Sequence, residues 1–220
     1  MFNNKILLGI TGEKYSGKSY ASKILVNIAT NKYKLQALHI SYDELGSQIL
    51  SSNKEYLHIR EELVDLFRSN LLLADSSINT TKLQKLIFND EYKSTLYNKF
   101  MEKNCKNIIQ HNVNQIQNGL ILLEAALLAE NNLYQITQNN VLLMSVSKEV
   151  QYQRARQEQT SKHEFKQKSS FQLTFKEKKE KIQYAQNTTK QGILFNFDTS
   201  NNPSPYQYSM LLENIIRQYF

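Results

Sequence analysis

The stretch GITGEKYSGKSYASKI, Gly9–Ile24, holds the run Gly12-Glu-Lys-Tyr-Ser-Gly17-Lys18-Ser19. That run fits G-x-x-x-x-G-K-[ST], a loop whose backbone wraps a phosphate group. Its glycines let the chain turn so that N–H groups point inward. The start of the following helix adds partial positive charge. A lysine placed as Lys18 is reaches the β- and γ-phosphates, and a hydroxyl placed as Ser19 is binds Mg²⁺. Lys5–Thr11, just before the loop, is a short apolar run and reads as a buried strand. Residues 18–31, just after it, carry Ala21, Ile24, Leu25 and Ile28 on one helical face. Strand, loop and helix in this order are the context the motif requires, and a chance glycine turn would not supply them. A nucleoside triphosphate is therefore expected on Gly12, Glu13, Lys14, Tyr15, Ser16, Gly17, Lys18, Ser19 and Tyr20.

Four more apolar runs extend the pattern: Leu35–Ser41, Gly119–Glu124, Val141–Val146 and Gly192–Asp198. Most of the runs lack in–out alternation, which suits parallel strands covered on both faces. Helical spacing fills the gaps, with Leu57, Leu63, Val64 and Phe67 in 56–68 and Met210, Leu211, Ile215 and Tyr219 in the last helix, about Pro205–Tyr219. Alternating strands and helices predict an α/β class, a P-loop NTPase three-layer fold with a five-stranded parallel sheet. Residues 1–45 and 118–220 form the expected nucleotide-binding core, with a helical lid over about 154–190. Residues 46–117 are too long for a simple crossover and read as a helical substrate-binding insertion. Asn201–Pro205, which contains both prolines, reads as a turn before the last helix.

The chain has 220 residues, 40% of them apolar, enough to bury a core. Its net charge of +7 favours an anionic ligand without naming one. The basic residues are spread out and match no nucleic-acid recognition motif, so no nucleic-acid partner is expected. No apolar stretch approaches a membrane span, and Ile6–Ile10 is too short for the core of a signal peptide. The single cysteine, Cys105, can build neither a disulfide framework nor a cysteine-rich zinc site. It sits between lysines in a helical stretch and reads as incidental, and a reducing cytoplasm is the expected compartment. The four histidines, His39, His58, His111 and His163, show no metal spacing, and His39 reads as strand core. No N/T-K-x-D guanine-reading motif occurs, and the chain is short for a motor ATPase. A kinase of small molecules suits the loop, the insertion and the basic lid.

Beyond the loop, the chain resembles the dephospho-CoA kinases in several segments that occur in the family's order. LLGITGEKYSGKS resembles the family's opening strand and P-loop, and LHISYDELGSQIL its V-D-A-D-x-x-x-x-x-L segment, with Asp43 on the second aspartate. DSSINTTKLQKLIFND resembles its D-G-x-I-D-R-x-x-L-x-x-x-I-F segment, and LEAALLAENNLY its P-L-L-F-E segment. SKEVQYQRARQ resembles the Q-x-x-R lid, and FQLTFKEK the lid's return. The resemblance implies transfer of the γ-phosphate of ATP to the ribose 3′-hydroxyl of dephospho-CoA, with Mg²⁺ as cofactor. Departures from the pattern fall at Ser41, at Asn79 and Thr80, at Ala126 and at Glu158. No His-Pro follows the insertion helices.

Individual residues then take candidate roles. Asp43 follows a strand and opens a helix, so it is either the base for the attacking hydroxyl or a helix cap. Glu124 ends the third strand on the ligand edge of such a sheet and is a candidate for the Mg²⁺ site, beside Ser19. Glu130 is singled out by the resemblance alone. Arg154 and Arg156 face different ways on one helix, and Arg154 is the candidate for the transferring phosphoryl group. Among the lid lysines Lys162, Lys166, Lys168, Lys176, Lys178, Lys179 and Lys181, Lys178 is the best candidate for a site role. Tyr15 is expected to pack against the adenosine or to shield the phosphates. Two alternatives stay open: a nucleoside or nucleotide monophosphate kinase, and an idle relative that binds nucleotide without catalysis.

Overall fold

β1 (Lys5–Gly12) is the central strand of a five-stranded sheet with the order β2-β3-β1-β4-β5. β2 is Ala37–Ser41, β3 Gly119–Glu124, β4 Val141–Ser145 and β5 Leu194–Asp198. The sheet is parallel, with Ile10 level with Glu124, Gly12 with Met144, and Ser145 with Asp198. Those registers bring the carboxyl ends of the strands to one edge. β3 and β4 flank β1, so the chain departs in opposite directions on either side of it. That reversal opens a crevice at the edge where the loop after β1 emerges. The structure is a computed structural model and describes residues 5–88, 90–161, 164–165 and 172–219.

Burial explains why alternation was missing from the sequence. Every residue of β3 is buried, and so are the first four of β4. On one face Ile6, Leu8 and Ile10 pack with Leu120, Leu122, Leu142 and Met144. α1 (Lys18–Asn31) covers this face with Ala21, Leu25 and Ala29, and α8 (Pro205–Arg217) covers it with Leu211, Leu212, Ile215 and Ile216. The sequence placed Ile24 and Ile28 beside Ala21 and Leu25, and both are partly buried against this core. β5 starts at Leu194, two residues later than expected, because Gly192 has a positive φ of 94° that ends the extended run. α7 (Phe175–Thr189) lies within the region read as the lid, and α6 (Lys148–Gln157) runs into its start. The lid candidates Lys162, Lys166 and Lys168, and His163, lie outside the described residues.

The chain divides into two compact units, one of Met1–Ile40 with Ile116–Phe220 and the other of Ser41–Gln115. The second is helical: α2 (Tyr42–Leu50), α3 (Leu57–Phe67), α4 (Thr80–Phe88) and α5 (Glu91–Gln115). Its only described extended pairing is an isolated bridge between Leu72 and Ile78. Met101, Cys105, Ile109 and Val113 fall four residues apart and form the buried stripe of α5. Cys105 is therefore core rather than incidental. Burial pushes its thiol up to about 11, with a hydrogen bond to Tyr42 pulling the other way.

Arg60 organises this unit. It is fully buried, and its guanidinium donates to Ser76 O at 2.6 Å, Asn53 O at 2.8 Å and Ile49 O at 3.0 Å. One planar fork thus satisfies the end of α2 and two turns. Arg60→Leu is expected to cost about 3 kcal/mol, because three charge-assisted bonds vanish and carbonyls stay buried. Arg60→Lys should recover little, since one ammonium cannot reproduce the fork. Urea unfolding of the two variants measures this, and a loss below about 1 kcal/mol for Leu would contradict it.

Candidate active site

The loop Gly12–Gly17 is shaped by its glycines. A Cβ on Gly12 would lie 2.3 Å from Met144 O, so only glycine lets β1 run on so close to β4. Gly17 has φ 80°, a left-handed conformation, at the position just before α1. Tyr15 also has positive φ, 62°, which costs a non-glycine residue energy. Three contacts hold it there. Its carbonyl accepts from Arg154 at 3.0 Å, its hydroxyl meets Thr160 Oγ1 at 2.9 Å, and its ring stacks on Phe165 at 5.9 Å.

Successive carbonyls of the loop are tied down by side chains. Lys18 Nζ donates to Gly12 O at 3.3 Å and Glu13 O at 3.0 Å. Gln151 Nε2 donates to Lys14 O at 2.6 Å, Arg154 to Tyr15 O, and Thr199 Oγ1 to Ser16 O at 2.9 Å. With the carbonyls held in this way, the backbone N–H groups are left to face a ligand. α1 adds the same preference. No side chain caps its N-terminus and no acid occupies its first turn. α2, α6 and α7, by contrast, are capped by Ser41, Ser147 and Thr174. An uncapped helix start with a lysine in its first turn is a receptor for an anion. Glu13 does not oppose this, because its carboxylate pairs with Lys148 at 2.8 Å.

Beside the loop lies a cleft of about 660 Å³. Lys14, Tyr15 and Gly17–Tyr20 line it together with Arg154, Thr199, Asn202 and Tyr208. Arg154, the candidate for the transferring phosphoryl group, donates to the loop carbonyl of Tyr15, while Arg156 is exposed. The Arg154 guanidinium braces the cleft, with further bonds to Thr199 Oγ1 at 3.0 Å, Thr199 O at 2.7 Å and Asn202 Oδ1 at 2.9 Å. Thr199, Asn202 and Gln151 were not singled out from the sequence. The turn signal at Asn201–Pro205, on the carboxyl edge after the last strand, was the available clue.

Glu124 is 7% exposed rather than set in a solvent-facing loop. Ser19 Oγ donates to its Oε1 at 2.5 Å, and His39 Nε2 lies 2.8 Å from its Oε2. Burial opposes ionisation of this carboxyl. Hydrogen bonds from His39 and Ser19, the His39 charge and a bond from Ser22 outweigh burial and hold it below the usual range. His39 is accordingly not plain strand core. It is a partner of the carboxylate across adjacent strands, which the sequence gave no way to pair. Ser19 and Glu124 supply oxygen donors, the chemistry Mg²⁺ takes. No group of three or more His, Cys, Asp or Glu among the described residues could cage a metal. A cation here would need phosphate and water oxygens as well, which fits Mg²⁺ arriving with a nucleotide.

Lys178 departs from its expected place in the site. It is fully buried, and its ammonium donates to Glu130 Oε1 at 2.6 Å, Glu130 Oε2 at 2.8 Å and Ala126 O at 2.8 Å. Its charge ties α7 to the segment after β3, and Glu130 is the structural partner. Asp43 lies in the first turn of α2 and is exposed. The N-cap there is Ser41, whose Oγ accepts Glu44 N–H at 3.3 Å.

The profile of the dephospho-CoA kinase family matches residues 6–191. The chain belongs to the dephospho-CoA kinase family. A dephospho-CoA kinase of Borrelia garinii subsp. bavariensis is 34% identical over 133 residues, 60% of this chain and 59% of that one. The Escherichia coli K12 dephospho-CoA kinase is 26% identical over 153 residues, 70% of this chain and 69% of the relative. The match to the Borrelia garinii relative thus spans less than two thirds of its length. A Thermus thermophilus crystal structure superposes with a TM-score of 0.70 at 20% identity, covering 99% of each chain. The Campylobacter jejuni dephospho-CoA kinase gives 0.50 at 17% identity, covering 97% of each chain. These structures share the fold of this dephospho-CoA kinase family member. No helix among the described residues is long and apolar enough to cross a membrane.

Proposed function

We propose that the protein is an ATP-dependent kinase that phosphorylates the ribose 3′-hydroxyl of dephospho-CoA, giving coenzyme A and ADP. The observation that carries the reading is the uncapped start of α1 behind a loop whose carbonyls are tied down. It supports a polyphosphate ligand, and family membership supports the acceptor. Lys18 lies where it can leave the loop carbonyls for phosphate oxygens. Ser19 and Glu124 would hold Mg²⁺, which when bound neutralises phosphate charge. Arg154 keeps the loop shaped and adds positive charge to the cleft wall. Residues 46–117 are assigned to acceptor binding, and Asp43 to the proton of the attacking hydroxyl. That oxygen attacks the γ-phosphorus as the bond to the ADP oxygen breaks, and the hydroxyl proton passes to the Asp43 carboxylate. Positioning and charge stabilisation dominate such a transfer. The single cysteine, which leaves no disulfide framework, suits the cytoplasm as compartment.

The test is coupled ADP release with Mg²⁺-ATP and a panel of dephospho-CoA, adenosine, AMP, CMP and UMP. Turnover is expected with dephospho-CoA at a rate well above the other acceptors. Transfer to AMP or a nucleoside with none to dephospho-CoA would reassign the acceptor. ATP binding with no transfer to any of them would make the chain an idle relative.

A further inference from the structure

We infer that His39 is a positioning residue for the Mg²⁺ site, acting by holding Glu124 so that Glu124 in turn holds the hydroxyl of Ser19. The inference rests on the proposed nucleotide-binding function. Three side chains from three elements meet in a line. His39 comes from the edge strand β2, Glu124 from the end of β3, and Ser19 from the first turn of α1. The Glu124 carboxylate carries only acceptors when ionised, so His39 Nε2–H is the donor across 2.8 Å. Ser19 Oγ–H is the donor across 2.5 Å to the other oxygen.

The direction of the Ser19 bond matters. A hydroxyl that gives its proton to a carboxylate turns its lone pairs elsewhere, and those lone pairs are what a cation binds. Glu124 therefore orients Ser19 as a ligand. A glutamate at a strand end keeps several rotamers unless something selects one, and burial alone would drive its charge toward water. His39 anchors Oε2 and leaves Oε1 for Ser19. The imidazole side chain is only 19% exposed, so solvent competes weakly for that bond. Groups one bond behind a metal ligand commonly set metal affinity by about 10–100-fold.

The test uses the full chain with ADP and Mg²⁺ as probes. Calorimetric titration gives ADP affinity without Mg²⁺ and across a Mg²⁺ series. His39→Leu removes the donor and keeps a strand-compatible side chain. His39→Gln keeps an N–H of similar reach. For Leu, the Mg²⁺ concentration that half-maximally strengthens ADP binding is expected to rise about 10-fold or more, with Mg²⁺-free ADP affinity unchanged. Gln is expected to recover most of the loss. An unchanged Mg²⁺ response in Leu overturns the inference. So does an equal loss of ADP affinity with and without Mg²⁺, because a general distortion would do that. If wild-type protein binds no ADP, the proposed function fails and this inference with it. A normal Mg²⁺ response in wild type retained by Leu removes only the role of His39. Should Leu fail to fold, the Gln variant decides: its Mg²⁺ response must match wild type within a few-fold, and a ten-fold loss there would overturn a hydrogen-bond role.

Discussion

Lys18→Ala is expected to lower phosphoryl transfer by about 10²–10³-fold or more while the protein stays folded. Lys18 is the charge that opens α1. Its ammonium rests on Gly12 O and Glu13 O, two carbonyls of the loop it serves. A triphosphate offers far stronger acceptors, so the lysine can transfer its bonds from loop to ligand with little strain. In the transition state charge spreads over the transferring oxygens, and a fixed ammonium there is worth more than in the ground state. Alanine removes that difference. Lys18 ties two of the loop carbonyls but is not the only group that holds the loop. Gly12 and Gly17 set its turns, and Gln151, Arg154 and Thr199 tie its later carbonyls. The melting temperature should therefore move only slightly. Lys18→Arg should not rescue transfer, because the longer planar fork cannot occupy the same point. ADP-release kinetics on the three proteins, beside calorimetric scans, measure both parts. Transfer by Lys18→Ala within two-fold of wild type would refute the phosphate role of the loop.

The sheet and the loop were legible in the sequence because their signals are local. A buried parallel strand writes itself as a continuous apolar run, as Gly119–Glu124 does, and its bounds were read to the residue. The P-loop glycines state their own geometry. Glu124 was found as a strand-end carboxylate for the same reason. What escaped depends on which strands become neighbours. His39 looked like core because it sits in an apolar run, and only the β2–β3 pairing sets it beside Glu124. Lys178 was read as a site candidate among the lid lysines, and its pairing with a carboxylate 48 residues earlier left no local signal. The five tied carbonyls were equally invisible, since their donors come from the loop's own lysine, from α6 and from the turn after β5. The contacts that hold Tyr15 are long-range as well. Its hydroxyl bond to Thr160 spans 145 residues. Local pattern thus fixed the elements and the phosphate loop, whereas the polar contacts that hold the site in shape are long-range and follow from topology.

Asp43→Asn is expected to separate binding from chemistry. The amide keeps the shape of the carboxylate and loses its ability to take a proton. ATP affinity should stay near wild type, since the groups assigned to ATP are Lys18, Ser19 and the loop backbone. Stability should also hold. Ser41, not Asp43, supplies the N-cap of α2, so no cap is lost. What Asp43 gives the helix is a negative charge near its N-terminus, worth about 0.3–1 kcal/mol at an exposed position. Glu44 carries a second charge in the same turn and remains. Phosphoryl transfer should fall by about 10²–10⁴-fold if Asp43 is the general base. A smaller fall would mean that it only orients the hydroxyl, because a loose transition state demands little base strength. Single-turnover transfer at saturating ATP and dephospho-CoA measures the step directly. The pH dependence divides the two cases further. A base must be ionised to act, so the wild-type rate should decline toward acid, and that limb should be missing from the Asn variant. Wild-type transfer by Asp43→Asn would rule out Asp43 as the base, and the base would have to be sought elsewhere.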